Sequence, residues 1–259
     1  MDKPHILLTN DDGYEAPGIR GLAKALASFA RVTVICPHRA RSSCSSSLTL
    51  HEYLRMWKRV PFCEGIEVLT VNGTTADCGK IALEYYLKDD RPDLIVSGAN
   101  NGFNVGTDCL YSGTVAGIME GIYWNIPGLA VSVENAKDPV LLETACQLAA
   151  GVIDAYFLKK NYRGMLNLNI PYGEHNTLSD IKIVRQGLQH YDNAIRQLED
   201  PSGRIGYWVA GKAIPTKNPE EDTYWIFRGY PTLTPLVWTQ TDTARLEETK
   251  EILNATQNV

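Results

Sequence analysis

The chain has 259 residues, of which 44% are hydrophobic, a composition that supports a folded core and excludes a disordered chain. Its net charge of -5 and its scattered basic residues argue against general binding to nucleic acid. Six cysteines form no Cys-x-x-Cys pair, and no apolar run approaches the length of a membrane span, so we expect a reduced, soluble protein of the cytoplasm.

Strand and helix patterns alternate through the first 180 residues. In chain order, the patterns predict strand 5–9, helix 17–29, strand 31–36, helix 75–87, strand 93–97, helix 112–123, strand 129–133, helix 140–157 and strand 164–170. Continuous apolar strands that alternate with helices are typical of a parallel sheet covered on both faces. We therefore assign residues 1–180 to an α/β core with a doubly wound, mostly parallel, Rossmann-like sheet.

Two regions depart from this alternation. Residues 48–51 and 66–71 predict a pair of strands that is inserted before the second helix. From residue 181 to residue 259 the chain is richer in Tyr, Trp, Gly and Pro, and residues 206–209 and 224–227 predict β-arms. The charged, amphipathic residues 241–256 predict a final helix. We assign residues 181–259 to a C-terminal extension of the same domain and expect it to be used in oligomerisation.

Two adjacent carboxylates, Asp11 and Asp12, follow the first predicted strand directly. Ligands of open α/β sheets bind at the carboxyl ends of the strands, and carboxylate oxygens suit hard cations such as Mg²⁺, Ca²⁺ or Mn²⁺. The pair could instead form a polar turn that caps the next helix. The adjacent pair favours shared metal binding over a nucleophilic aspartate.

Two further loops are expected at the same edge of the sheet. Residues 37–47 carry Ser42 and other hydroxyls beside two arginines, although a solvated turn would have the same composition. Residues 97–114 are rich in Gly and Asn and end where a helix begins at Ser112. The free backbone N–H groups at this helix start could bind an anion, most plausibly phosphate, or Ser112 could only cap the helix.

Several familiar site signatures do not occur in the sequence. It contains no P-loop, no Gly-x-Gly-x-x-Gly after the first strand and no Gly-x-Ser-x-Gly elbow. Its five histidines do not have the spacing of zinc ligands. These observations argue against a nucleoside triphosphatase of the P-loop type, a dinucleotide-binding protein, a serine hydrolase and a zinc enzyme.

A set of motifs extends in a fixed order from residue 6 to about residue 236. They are Leu8-Thr9-Asn10-Asp11-Asp12-Gly13, Arg41-Ser42, Thr75-Ala76-Asp77-Cys78, Pro92-Asp93-Leu94-Ile95-Val96-Ser97-Gly98-Ala99-Asn100, Tyr111-Ser112-Gly113-Thr114-Val115, Leu166-Asn167-Leu168-Asn169-Ile170-Pro171 and Thr234-Pro235-Leu236. With these motifs the chain resembles the SurE family, stationary-phase survival proteins that act as metal-dependent 5′/3′-nucleotidases. Thr239 departs from the family pattern, in which an aspartate is common there.

The resemblance implies roles for individual residues and an assembly. One divalent cation per subunit, Mg²⁺ or Mn²⁺, would be held by Asp11, Asp12, Ser42 and Asn100. The phosphate pocket would consist of Asn100, Asn104, Ser112, Gly113 and Thr114. Catalysis would depend on Asp11, Asp12 and Asn100. The resemblance also implies a homodimer or homotetramer in which C-terminal elements reach a neighbouring subunit.

The residues and the resemblance together predict a phosphomonoesterase that hydrolyses nucleoside 5′- or 3′-monophosphates to nucleoside and phosphate. One alternative is a broader phosphatase that also acts on short polyphosphate. Another is a noncatalytic nucleotide-binding stress protein, but a pure binder needs no complete set of hard-metal ligands. We expect nucleotides and further copies of the chain as partners, and neither nucleic acid nor a membrane.

Overall fold

The structure is a computed structural model that describes residues 3–256. Its strands are β1 (His5–Thr9), β2 (Arg31–Pro37), β3 (Met56–Lys58), β4 (Ile66–Val71), β5 (Leu94–Asn101), β6 (Gly128–Val133), β7 (Met165–Ile170), β8 (Lys182–Ile183), β9 (His190–Asp192), β10 (Ile195–Glu199), β11 (Ile205–Val209), β12 (Lys212–Ile214) and β13 (Thr232–Leu236). Its α-helices are α1 (Pro17–Ala27), α2 (Thr75–Ile81), α3 (Gly113–Met119), α4 (Pro139–Val152), α5 (Asp222–Ile226) and α6 (Leu246–Thr256). The π-helical turns Ala82–Tyr86 and Ile153–Leu158 continue α2 and α4.

Nine strands of the described chain form one sheet in the order β3-β4-β2-β1-β5-β6-β7-β13-β8. The six strands from β4 to β7 in this order are parallel to one another. β3 and β13 run antiparallel to β4 and β7, respectively. The prediction of a doubly wound, mostly parallel α/β sheet is therefore confirmed.

The apolar strands are buried on both faces, which explains why their sequences do not alternate with polar residues. In β1, Ile6 and Leu8 pack into the layer that contains α1 and α4, whereas Leu7 packs into the layer that contains α2 and α3. Successive side chains of a strand point to opposite faces, so one short run stabilises both layers. The two layers leave the carboxyl ends of the central strands accessible to ligands.

The segment Pro139–Leu158, which combines α4 with its π-helical continuation, has 20 residues and a mean hydropathy of 1.3. By length and composition alone it could cross a membrane, so the expectation that no apolar run approaches this length is wrong. The helix packs against α1 and the sheet through Leu141, Ala145 and Ala149, which belong to the main hydrophobic cluster. This packing is that of a core helix.

Two predicted strands of the irregular regions are wrong. Residues 48–51 are not a strand, because the Thr49 backbone N–H and hydroxyl bind the Asp77 carboxylate at 3.0 and 2.6 Å, and β3 takes the edge position beside β4. Residues 224–227 lie largely in α5, where the buried Asp222 accepts backbone hydrogen bonds from Gly106 and Gly187.

The remaining C-terminal predictions concern the β-arm, the final helix and the division of the chain. Residues 206–209 lie in β11, which pairs with β10 as an exposed antiparallel arm, and α6 is the predicted final helix. The division of the chain at residue 180 stays a prediction. β8 and β13 come from the second segment and join the main sheet, so this segment is attached to the core by strand pairing.

Candidate functional site

The turn after β1 is built by Asn10 and Gly13. The Asn10 side chain donates to the Gly13 carbonyl at 3.0 Å and accepts from the Gly13 N–H at 3.2 Å. Gly13 has a φ of +89°, and a Cβ atom there would lie 2.7 Å from the Arg39 carbonyl carbon. Only glycine tolerates both conditions, so this residue lets the loop after β2 approach the aspartate pair.

Asp11 is 4% exposed and points toward the start of α3. The Thr114 hydroxyl donates to its Oδ1 at 2.8 Å, and a Cβ atom on Gly113 would lie 2.8 Å from its Oδ2. Burial raises the pKa of Asp11 to about 6, although the Thr114 hydrogen bond acts in the opposite direction. Gly113 and Thr114 thus contact the Asp11 carboxylate and fix its position.

Asp12 is held by the end of β5. The Asn101 backbone N–H donates to Asp12 Oδ2 at 3.0 Å. Burial raises the pKa of Asp12, while this hydrogen bond and the positive charge of Lys137 lower it. Burial thus raises the pKa of both adjacent carboxylates, one of them buried and the other half-buried, a costly arrangement that a bound cation would relieve.

The loop that carries Ser42 is fastened to the same edge. The Arg41 backbone N–H donates to the Asp11 carbonyl at 2.7 Å, and the Arg41 guanidinium donates to the Asn72 carbonyl at 2.6 Å. Ser45 bonds the carbonyls of Leu110 and Tyr111 through its hydroxyl and its backbone N–H. The sequence prediction that three loops meet at this edge agrees with these contacts.

Asn100 reaches the site from the carboxyl end of β5, and Asn104 reaches it from the loop that follows. The Asn100 amide donates to the Gly102 carbonyl at 2.9 Å, which leaves its side-chain oxygen as the group that could ligate a cation. Asn104 is buried, and its amide donates to the Ser132 hydroxyl at 2.8 Å. The Asn167 amide donates to the Asn104 carbonyl at 2.7 Å, so β7 also fixes the position of this loop.

Ser112 is the N-cap of α3. Its hydroxyl oxygen accepts from the Val115 N–H at 3.0 Å, as the capping alternative predicted. Its hydroxyl hydrogen is still able to donate to a ligand, so capping and phosphate binding are compatible.

A cavity of about 740 Å³ joins these groups. The residues that line it are Asp11, Asp12, Ser42, Ser43, Asn100, Asn101, Gly102, Phe103, Asn104, Asp108, Tyr111, Ser112, Tyr191, Ala194, Val209, Ala210 and Gly211. The structure thus brings together six of the eight predicted site residues as cavity walls. The other two, Gly113 and Thr114, lie behind Asp11. The volume is in the range of pockets that bind small organic ligands.

The sequence analysis missed the wall formed by aromatic and C-terminal residues. Tyr191 donates a hydrogen bond to the Asp108 carboxylate, and Val209 comes from the exposed arm. Asp108 lies in the Gly- and Asn-rich loop, so the sequence could have indicated it as a site residue. Tyr191 is 83 residues away along the chain, and no local pattern relates the two.

The oxygen donors of this edge fit a hard divalent cation. Among residues 3–256, no group of three or more His, Cys, Asp or Glu side chains is placed to hold a metal ion. The predicted set contains only two carboxylates, and its remaining ligands are the Ser42 hydroxyl and the Asn100 amide oxygen. Such a set suits Mg²⁺ or Mn²⁺ better than a softer metal.

The fold and this edge define a class: a doubly wound α/β protein with a paired-carboxylate cavity at the carboxyl ends of its strands. The family model described as "Survival protein SurE" matches residues 6–193. The chain belongs to the SurE family, which confirms the resemblance found in the sequence.

Named relatives and a solved structure extend this match over most of the chain. The "5'-nucleotidase SurE" of Alkaliphilus metalliredigens is 38% identical over 235 residues, which cover 89% of this chain and 91% of the relative. The protein of the same name from Natranaerobius thermophilus is 40% identical over 248 residues, with coverages of 92% and 94%. The crystal structure of the SurE protein from Aquifex aeolicus has a TM-score of 0.80 and 33% identity, and the match covers 96% of this chain and 99% of that one.

Proposed function

We propose that this chain is a metal-dependent 5′-nucleotidase that hydrolyses nucleoside 5′- or 3′-monophosphates to nucleoside and phosphate. One observation carries the proposal: two adjacent carboxylates, Asp11 buried and Asp12 half-buried, share a cavity of about 740 Å³ with hydroxyl and amide groups. The names of the two relatives, both 5′-nucleotidases, point to the same reaction.

In this proposal Asp11, Asp12, Ser42 and Asn100 hold one Mg²⁺ or Mn²⁺ ion per subunit. The ion would supply charge neutralisation and an acidified water molecule. Asp11, Asp12 and Asn100 are the residues on which catalysis depends. Thr114 and the Asn101 backbone orient the two carboxylates through the hydrogen bonds described above.

In this proposal the phosphate group is bound by Asn104 and Ser112, which line the cavity, together with the backbone of Gly113 and Thr114. The Ser112 hydroxyl can donate to a phosphoryl oxygen, and the Gly113 and Thr114 backbone belongs to the first turn of α3. The Thr114 side chain contributes indirectly, because it is bonded to Asp11.

The test is the release of inorganic phosphate from 5′- and 3′-nucleoside monophosphates with Mg²⁺, Mn²⁺ or EDTA. Asp11→Asn is expected to lower turnover by orders of magnitude, whereas the matched control Asp89→Asn changes a carboxylate that is 88% exposed and should have no effect. Near-normal turnover of a folded Asp11→Asn protein would refute the proposed metal clamp.

The same assay separates the alternative functions. Faster release from short polyphosphate than from nucleotides would favour the broader phosphatase. Tight nucleotide binding without release under any divalent cation would favour the noncatalytic nucleotide-binding protein.

We also propose that the chain forms a homodimer or homotetramer through its C-terminal extension. The β10–β11 arm exposes Ile195, Leu198, Tyr207 and Trp208, each at 55% or more of its surface. Large exposed apolar side chains on a protruding hairpin favour contact with another protein surface. Sedimentation equilibrium of the full chain and of Trp208→Glu tests this assembly, and a monomer at micromolar concentration would refute it.

We place the enzyme in the cytoplasm. All six cysteines are free thiols, and a reducing compartment keeps them so. The scattered basic residues and the core packing of α4 support the absence of nucleic-acid and membrane partners. Fractionation of cells that express the protein tests this location, and recovery with membranes would contradict it.

A further inference from the structure

A third carboxylate lines the proposed nucleotide cavity and takes no part in the mechanism above. Asp108 lies in a 3₁₀ turn, Gly106–Leu110, and accepts a hydrogen bond from the Tyr191 hydroxyl. Within the described part of the chain Asp108 forms no salt bridge. The hydrogen-bond partner of its carboxylate is thus a neutral hydroxyl and not a cation.

The contact between Asp108 and Tyr191 is rigidly supported. The Gln186 amide donates to the Gly106 carbonyl at 2.7 Å, and the Gln189 backbone N–H donates to the Thr107 hydroxyl at 3.2 Å. These bonds fasten the segment before Tyr191 to the turn that carries Asp108. The orientation of the carboxylate is therefore set before a ligand enters.

The chemistry of the cavity restricts what Asp108 can bind. A carboxylate near a phosphate is unfavourable unless a cation lies between them, and here the cation ligands proposed are other residues. The groups of a nucleoside monophosphate that can donate hydrogen bonds are its sugar hydroxyls and base amino groups. Burial raises the pKa of Asp108, whereas the hydrogen bond that Tyr191 donates acts in the opposite direction and favours the ionised form, which accepts hydrogen bonds.

We propose that Asp108, oriented by Tyr191, accepts a hydrogen bond from a sugar hydroxyl of the nucleoside and so selects substrates that carry one. The inference rests on the proposed nucleotidase function and names the group that recognises the sugar. Phe103 and Tyr111 line the same cavity and supply apolar surface beside this acceptor. If an analogue lacks the hydroxyl, the half-buried Asp108 carboxylate does not gain this hydrogen bond, and the analogue binds less tightly.

The experiment measures the binding of nucleosides, which needs no catalysis. Isothermal titration calorimetry with Mg²⁺ compares adenosine, 2′-deoxyadenosine, 3′-deoxyadenosine and 2′,3′-dideoxyadenosine. The wild type is expected to bind adenosine about 10- to 100-fold more tightly than the dideoxy analogue, as for one charge-assisted hydrogen bond. Asp108→Asn should reduce this ratio several-fold, and Tyr191→Phe should reduce it less.

Two controls keep the result specific. Tyr207→Phe removes a tyrosine hydroxyl from β11, outside the cavity, and should leave the ratio unchanged. The second control is hydrolysis of adenosine 5′-monophosphate and its 2′,3′-dideoxy analogue by Asp108→Asn. The variant should lose activity only on the ribonucleotide. Tyr191→Phe decides the question if Asp108→Asn does not fold, because it keeps the ring.

Three results would overturn the inference. They are equal affinity of the wild type for adenosine and its dideoxy analogue, no measurable binding of either nucleoside, and equal loss of activity on both nucleotides in a folded Asp108→Asn variant, which would show that Asp108 does not act through the sugar hydroxyls. Absence of phosphate release from every monophosphate would refute the proposed nucleotidase function alone, since the adenosine preference is measured without it.

Discussion

Asp11→Asn is expected to make the metal-free protein more stable at pH 8 while it abolishes phosphate release. The Asp11 carboxylate is almost fully buried, and its pKa in the folded protein is about 6 instead of 3.8. Folding therefore disfavours the ionised form. An asparagine has the same shape without the charge, and its amide oxygen can still accept the Thr114 hydroxyl.

The magnitude follows from the shift of about two pKa units, each equivalent to about 1.4 kcal/mol. Because the folded-state pKa is raised, the destabilisation is absent below pH 3.8, grows as the pH rises and is complete above pH 6. The variant should therefore exceed the wild type by up to about 3 kcal/mol at pH 8 and by about half of that at pH 5.

Urea unfolding in EDTA at pH 5 and pH 8 measures both differences. Mg²⁺ or Mn²⁺ should stabilise the wild type more than the variant, because only the wild type offers two carboxylates. Asp89→Asn again serves as the exposed control. An Asp11→Asn protein that is less stable than the wild type at pH 8 in EDTA would refute the claim that the buried charge is destabilising.

Three further predictions concern the site and the core. Gly113→Ala should lower kcat by at least about 10-fold with little loss of secondary structure, because its Cβ would lie 2.7 Å from Asp11 Cβ and displace the carboxylate; wild-type kcat would contradict this. Leu22→Ala should lower the free energy of unfolding by about 2–5 kcal/mol in urea, because Leu22 is fully buried in α1, and a loss below about 1 kcal/mol would contradict this. Burial lowers the pKa of His5, so stability should fall as the pH drops below 6.5, and His5→Gln should weaken this dependence in thermal unfolding at pH 5 to 8; an unchanged dependence would exclude His5 as its source.

Much of the sheet could be predicted from the sequence. The strands β1, β2, β6 and β7 are short apolar runs whose neighbours are turns or helices, and this pattern has few alternative structures. The helix α4 begins as predicted, with the Asp138 side chain bonded to the Val140 and Leu141 N–H groups. Such signals lie within a few consecutive residues, so they can be interpreted without knowledge of the fold.

Other elements depended on distant partners. Residues 224–227 have the composition of a strand, but Asp222 binds the backbone of two remote segments and the chain there is helical. β13 enters the sheet beside β7, although about 60 residues separate them, and the sequence analysis assigned no strand there. Tertiary contacts outweighed the weak local preferences at both places.

In the candidate site, too, some features were predictable from the sequence and others were not. The placement of Asp11, Asp12, Ser42 and Asn100 around one cavity was predictable, since each lies at or after the carboxyl end of a strand at one edge of the sheet. Their roles as metal ligands stay a prediction for the assays above. The buried position of Thr114 behind Asp11 was not predictable, because it depends on the side-chain packing of α3 against the β1 turn.

The sequence by itself determined the α/β class, the strand-end positions of the oxygen donors and the family, because periodicity, turn chemistry and ordered motifs are properties of short segments. Only the tertiary structure decided which residues complete the wall of the cavity. Tyr191 contacts Asp108, which is 83 residues away in the chain, and Val209 of the arm lines the same wall. The physical reason is that the free energy of such contacts comes from packing and hydrogen bonds between segments that are distant in sequence. The residue pattern of one short segment therefore does not predict them.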